Sequence, residues 1–122
     1  MMAKHEALKT QLDNLREAVP ELKGVLVASA EGLPVAHSMS NGTDPNRLAA
    51  MAAAASSLGR RISEALATGT FQEVSIRSDD GMLFLYSAGG KAVLAVLGPN
   101  TANAGLIHLE ARNTAKEVGD LF

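Results

Sequence analysis

Residues 44–66, DPNRLAAMAAAASSLGRRISEAL, read as one long helix with almost no charge before Arg60. Asp44 suits the N-cap, where its carboxylate can accept an orphan backbone N–H, and Pro45 suits the first helical position, where no N–H is required. Thr68-Gly69 supplies the stop. At about 100° per residue, Leu48, Met51, Ala52, Ala55, Leu58, Ile62 and Leu66 gather on one arc, the expected core face. Arg47, Ala50, Ala53, Ala54, Ser57, Arg60, Arg61 and Glu64 lie opposite. That second face should be wet, yet its middle is alanine and serine, with charge mainly at its two ends. Alanine is the best helix former on an exposed face, but small side chains inside a polar rim also let another backbone approach closely. A protein-binding face is expected, made of Arg47, Ala50, Ala53, Ala54, Ser57, Arg61 and Glu64.

On the N-terminal side, a first helix is expected from about Ala3 to Ala18, with Leu8, Leu12, Leu15 and Val19 at helical spacing and Pro20 ending it. Gly24–Ser29 and Leu33–His37 are strand-like runs joined across Ala30-Glu31-Gly32, a hairpin. A loop through Asn41-Gly42 leads into the long helix. Beyond it, Phe71–Ser78, Met82–Ala88 and Lys91–Leu97 are joined by Asp79-Asp80-Gly81 and Gly89-Gly90, both strong hairpin signals. A last helix is expected from about Asn103 to Gly119, with Ala104, Ile107, Ala111, Ala115 and Val118 toward the sheet and Leu106 and Leu109 able to meet the first helix.

Val25–Ala28, Met82–Tyr86 and Ala92–Leu97 are continuously apolar, as strands covered on both faces are, whereas Glu73-Val74-Ser75-Ile76-Arg77 alternates. Inner strands and an edge strand follow. The first and last helices cover one face and the long helix the other, an α/β three-layer domain of order αββαβββα with a five-stranded, mainly antiparallel sheet. No linker or repeat divides the chain, so residues 1–122 form one domain. An edge strand Glu73–Arg77 beside an alanine-faced helix offers unpaired N–H and C=O groups next to a close-packing surface, and a two-fold homodimer is expected there.

The 122 residues are 47% hydrophobic and 20% charged, enough to bury a core without staples. The absence of cysteine excludes disulfides and thiolate metal sites and fits a reducing cytoplasm. A net charge of −2 and 3% aromatic residues give no attraction for nucleic acid or anionic lipid. The longest apolar run is too short and alanine-rich to span a bilayer, and Met1–His5 has no apolar signal core. A cytoplasmic protein without membrane insertion is the expectation.

Three strings in this order resemble the roadblock/LC7 family, whose members regulate Ras-like small GTPases or serve as dynein light chains. GVLVASAEGLPVAHS (24–38) is similar to the family's opening hairpin, FQEVSIRSDDGMLFLYSAGGKAVLAVLG (71–98) to its three-strand meander, and ANAGLIHLEARNTAKEV (102–118) to its closing helix. The resemblance implies a profilin-like roadblock fold and a dimer whose long helices lie side by side while the third strands join into one sheet. It also implies that the paired helices form the platform for a GTPase in bacterial gliding-motility members. Here that platform maps to Ala50, Ala53, Ala54, Ser57 and Arg61, and the joining strand to Glu73, Val74, Ser75, Ile76 and Arg77.

Chemistry of the chain's own is not legible. Ser87-Ala88-Gly89-Gly90-Lys91 is the nearest string to a phosphate-binding loop, but a strand follows it where such a loop needs a helix. His5, His37 and His108 are isolated, without metal-ligand spacing, and Asp79-Asp80-Gly81 lacks the ligand ladder of a calcium loop. No serine sits in a Gly-x-Ser-x-Gly setting. No catalytic residue, cofactor or metal is therefore expected. Arg60 and Arg61 are read as the polar end of a helix face, with an arginine finger as the alternative role. The expected function is a homodimeric regulator that binds a Ras-like small GTPase and alters its nucleotide state. The alternative is a light-chain-type assembly subunit indifferent to nucleotide, and a small-molecule sensor ranks last because little pocket chemistry is visible.

Overall fold

Five strands and three helices form in the order α1 (Lys4–Ala18), β1 (Gly24–Ser29), β2 (Pro34–Met39), α2 (Pro45–Ala65), β3 (Glu73–Ser78), β4 (Gly81–Ala88), β5 (Ala92–Gly98) and α3 (Ala104–Asp120). This is a computed structural model that describes residues 3–40 and 42–122. Asn41, assigned to a loop from the sequence, and Met1 and Met2 lie outside the described residues. All neighbouring strands pair antiparallel, and the sheet order is β2-β1-β5-β4-β3. The continuously apolar β1, β5 and β4 are thus the inner strands, and the alternating β3 is an edge.

Antiparallel register sorts the side chains between two layers. Val25, Val27, Phe84, Tyr86, Leu94 and Val96 point toward α1 and α3 and close a core with Leu8, Leu12, Leu15, Ile107, Ala111 and Val118. Leu26, Ala28, Leu85, Val93 and Ala95 point the other way and meet Leu48, Ala49 and Ala52 of α2. The end of α3 touches the β4–β5 turn backbone to backbone: a Cβ on Gly119 would lie 2.8 Å from the nitrogen of Gly89. Leu109, expected to meet α1, is instead exposed, and Leu106 is exposed at its margin.

Asp44 caps α2 as expected, accepting from the Asn46 N–H at 3.0 Å, with Pro45 in the first turn. The helix sits on the sheet by a different face from the one its large residues suggest. Leu48, Ala49, Ala52, Ala53 and Ser56 are buried, whereas Met51, Leu58, Ile62 and Leu66 are exposed. Of the expected core arc only Leu48 and Ala52 are buried, with Ala55 partly so. The cause is volume: the sheet already fills this layer with Leu26, Leu85 and Val93, so a helix lined with alanine packs close to it without voids or overpacking. Gly59 belongs to the same inward arc, because any Cβ there would collide with the Phe71 ring.

The helix ends before Thr68-Gly69. The Thr68 N–H donates to the Ser63 carbonyl at 3.1 Å and the Ala67 N–H to that of Glu64 at 3.2 Å, the paired bonds of a Schellman stop. Ala67 occupies its left-handed position at φ 54°, where a Cβ is disfavoured. Ala67→Gly is expected to raise stability by about 0.5–1 kcal/mol, read as a higher urea midpoint at unchanged slope.

Candidate functional site

The register places Met39, Gly24, Leu97, Leu83 and Ile76 directly opposite one another in a row across all five strands. This row shares the α2 side with Leu26, Ala95, Leu85 and Val74, the next row along. The helix covers the second row and leaves the first half open: Met39, Leu83 and Leu97 are partly buried and Ile76 is 44% exposed. One flank of α2 faces the β1–β2 turn, since a Cβ on Gly32 would meet the Ala50 Cα at 3.3 Å and the Ala53 Cβ at 3.7 Å. Helical geometry puts Met51, Ala55, Leu58 and Ile62 on the opposite flank. Met51, Leu58 and Ile62 are 54%, 53% and 49% exposed. Exposed apolar surface of this kind is the type that protein–protein contacts use.

The two sheet edges differ. Ser40 donates to Lys23 across β1 and β2, so pairing alternation leaves the His37 backbone pointing outward. Lys9 Nζ donates to that His37 carbonyl at 2.8 Å, Arg16 bonds both the carbonyl and the hydroxyl of Ser38, and Pro34 brings no N–H to the start of the strand. The β2 edge is blunted. At the other edge, Ser87 donates to Gln72, so Val74, Ile76 and Ser78 spend their backbone groups on β4. Those of Glu73, Ser75 and Arg77 point away from the sheet.

Behind the open edge, on the α3 side, a polar cluster fastens β3 to the helix layer. Arg112 holds both oxygens of Glu73, Nε to Oε1 at 2.9 Å and Nη2 to Oε2 at 3.1 Å. His108 Nδ1 lies 3.3 Å from Glu73 Oε2 and 2.7 Å from the Tyr86 hydroxyl. Burial pushes the Tyr86 hydroxyl above its usual range and the Glu73 carboxylate adds to this, while Arg112 opposes it. The Arg112 guanidinium is in turn raised by its hydrogen bond to Glu73. These four side chains position the edge strand, and Glu73, Tyr86 and Arg112 also line a cleft of about 220 Å³ with Gln72, Ser87, Ala115 and Lys116. Among the described residues no group of three or more His, Cys, Asp or Glu could hold a metal ion.

The residues singled out from the sequence are divided by this geometry. Arg47, Ala50, Ala54, Ser57, Arg61 and Glu64 are exposed on α2. Ala53 is not: it is 8% exposed beneath the helix. Arg60 also leaves the outward face, with Nη2 buried. Met51, Leu58 and Ile62 were assigned to the core and instead form the exposed apolar flank. The signal that identifies the true inward arc is Gly59, since a mid-helix glycine costs stability and marks a close approach. Glu73, Val74, Ser75, Ile76 and Arg77 lie on the edge strand.

A model of the Roadblock/LC7 domain matches residues 8–98, and the chain belongs to that family. A roadblock/LC7 domain from Streptomyces avermitilis is 26% identical, with 90% of this chain and 92% of that chain covered and a TM-score of 0.83. MglB of Myxococcus xanthus superposes with a TM-score of 0.90 at 17% identity, covering 100% of this chain and 92% of its own, a likeness of fold. An uncharacterized protein of Methanocaldococcus jannaschii is 28% identical over 101 residues, 83% of this chain and 88% of the relative.

The polar cluster has a pH signature. The fold holds the Tyr86 proton more tightly than the unfolded chain does, so above the ordinary tyrosine pKa near 10 unfolding releases that proton. Stability from this group is intact below that pH and declines as pH rises beyond it. Tyr86 is the only tyrosine, so tyrosinate absorbance should titrate late in the folded chain. Tyr86→Phe should be less stable near neutrality by about 1 kcal/mol yet lose less between about pH 9 and 11, read by urea unfolding.

Proposed function

We propose that this member of the roadblock/LC7 family works as a two-fold homodimer that docks a Ras-like small GTPase on its paired long helices and modulates its nucleotide state. The observation that carries the dimer is the meeting of an open strand edge and an uncovered apolar flank on one side of the domain. A standard interface buries roughly 1,600 Å², and together the edge and the flank supply both hydrogen bonds and apolar area.

The edge strand is self-complementary in one register. If two copies of β3 pair antiparallel about Ser75, the outward-facing backbones of Glu73, Ser75 and Arg77 all find partners. Glu73 then stands opposite Arg77 of the other copy, twice, and Val74 opposite Ile76 on the α2 side. Shifting the axis to Glu73 or Arg77 would place like charges opposite one another, which is unfavourable. The large flank residues Met51, Leu58 and Ile62 would be consumed in the same contact.

That leaves the small crest of the helix, Ala54, Ser57 and Arg61, with Arg47, Ala50 and Glu64 beside it, for a third partner. The resemblance to the family's GTPase regulators supports the choice of partner class. The domain brings shape and a few charges rather than reactive groups, so it would act by holding the GTPase's own switch segments. Arg60, turned inward, is poorly placed as a finger, and Arg61 is the exposed cation. Ser87–Lys91 spans the turn between β4 and β5, so nucleotide would belong to the partner.

Light scattering after size exclusion should give a dimer for the native chain. Ile62→Asp should weaken self-association by about 100-fold or more, since it asks for an unpaired charge in the interface, with helix content unchanged by circular dichroism. A dimer that survives this change would remove the flank from the interface. Ala54→Arg should leave the dimer intact but lower affinity for a small GTPase at least ~10-fold, the GTP-analogue form being bound in preference to the GDP form. Equal binding of both forms would favour the light-chain-type assembly role.

A further inference from the structure

Arg60 serves neither of these surfaces. Its Nη2 is buried and has no hydrogen-bond partner, while other atoms of the residue line an open cleft of about 620 Å³ at the end of the sheet that carries the β4–β5 turn. Glu64, Thr70, Phe71 and Ser87 also line that cleft, and the Gly89-Gly90 turn contributes backbone alone. A buried cationic donor without an acceptor is costly, and in native proteins such a group calls for an ion, a water or a ligand.

The construction of the cleft points the same way. Phe71 reaches its position because Gly59 leaves room for its ring against α2. Gly89 and Gly90 sit at φ 66° and 75°, conformations that side chains disfavour, so no side chain intrudes from that wall. Arg60, Thr70, Phe71 and Ser87 therefore surround space that the chain does not fill.

We infer that this cleft binds a small molecule bearing a carboxylate or monophosphate, held by Arg60 and the hydroxyls of Thr70 and Ser87, with its apolar portion against Phe71. Glu64 narrows the class. Its carboxylate repels a second negative group at the mouth and accepts an ammonium or hydroxyl, so a polyphosphate is disfavoured. The cleft opens on the flank of α2 away from Met51, Leu58 and Ile62. Its occupancy is thus separable from the proposed dimer contact, and it meets the proposed GTPase face only at Glu64.

The test is an NMR titration of the full chain with inorganic phosphate and, separately, acetate, using sodium chloride at matched ionic strength as the control. Saturable shifts of the Arg60 Nε–Hε signal and the Thr70, Ser87 and Gly90 amides are expected with at least one of the two anions and not with chloride. Saturation by phosphate alone assigns the monophosphate, and by acetate alone the carboxylate. Arg60→Gln should lower the affinity at least ~10-fold, Ser87→Ala should lower it by a smaller factor, and Lys23→Gln, a remote surface change, should leave it unaltered. Arg60→Gln removes an unpartnered charge, so its melting temperature should not fall. Shifts that fail to saturate, or that persist undiminished in both Arg60→Gln and Ser87→Ala, would overturn the proposal.

Discussion

The close approach of α2 to the sheet is the constraint on which the rest of this molecule depends. Ala49, Ala52, Ala53, Ser56 and Gly59 form the inward side of the helix, against strands that already present Leu26, Leu85 and Val93. With no room for large side chains beneath it, the helix carries Met51, Leu58 and Ile62 on its outer flank. The same rotation turns Arg60 under the helix and leaves its neighbour Arg61 in solvent. Adjacent arginines are about 100° apart on a helix, so one packing decision gives them opposite surroundings.

A second asymmetry belongs to the sheet. Both edges carry unpaired backbone, but Lys9 and Arg16 reach from α1 to the carbonyls of β2, while β3 is tied from behind, through Glu73 to Arg112 and His108. The first arrangement occupies an outward acceptor, the His37 carbonyl held by Lys9; the second leaves the outward acceptors free and stiffens the strand that offers them. Holding an edge strand in one conformation lowers the ordering cost of pairing it with another. Burial holds the proton on the tyrosine behind this tie, so the hydroxyl beside Glu73 stays neutral.

Much of the architecture is legible in the amino-acid order because each element signals itself locally. Apolar runs broken by Asp79-Asp80-Gly81 and Gly89-Gly90 give the meander, uninterrupted hydrophobicity marks β1, β4 and β5 as inner strands, and Asp44-Pro45 starts α2. The facing of α2 is not local. A helical wheel of residues 44–66 offers two arcs of low charge, and choosing the one with the larger side chains assumes that the opposing layer has space for them. Whether it has depends on which side of the sheet receives Leu26, Leu85 and Val93, a matter of register between strands far apart in the chain. Ala53 and Ile62 exchange roles for that reason. The Arg60 cleft was hidden by the same distance, since its walls come from α2, from the segment before β3 and from the β4–β5 turn.

The misplaced large residues and the unpartnered guanidinium are two results of one packing choice, and they differ in what they ask of the surroundings. An exposed Leu58 or Ile62 needs only apolar area, which is non-directional and which a second copy of the same flank provides by symmetry. A buried Arg60 donor needs an acceptor at hydrogen-bond distance in a set direction, and the proposed two-fold flank contact would lie on the other side of the helix. The apolar surface is thus suited to self-association and the cleft to a separate occupant. Between them the crest of α2, with Ala54 and Ser57 at its middle and Arg61 beyond, remains uncommitted to either. A helix packed on the sheet by its small residues therefore presents three chemically distinct surfaces within six turns.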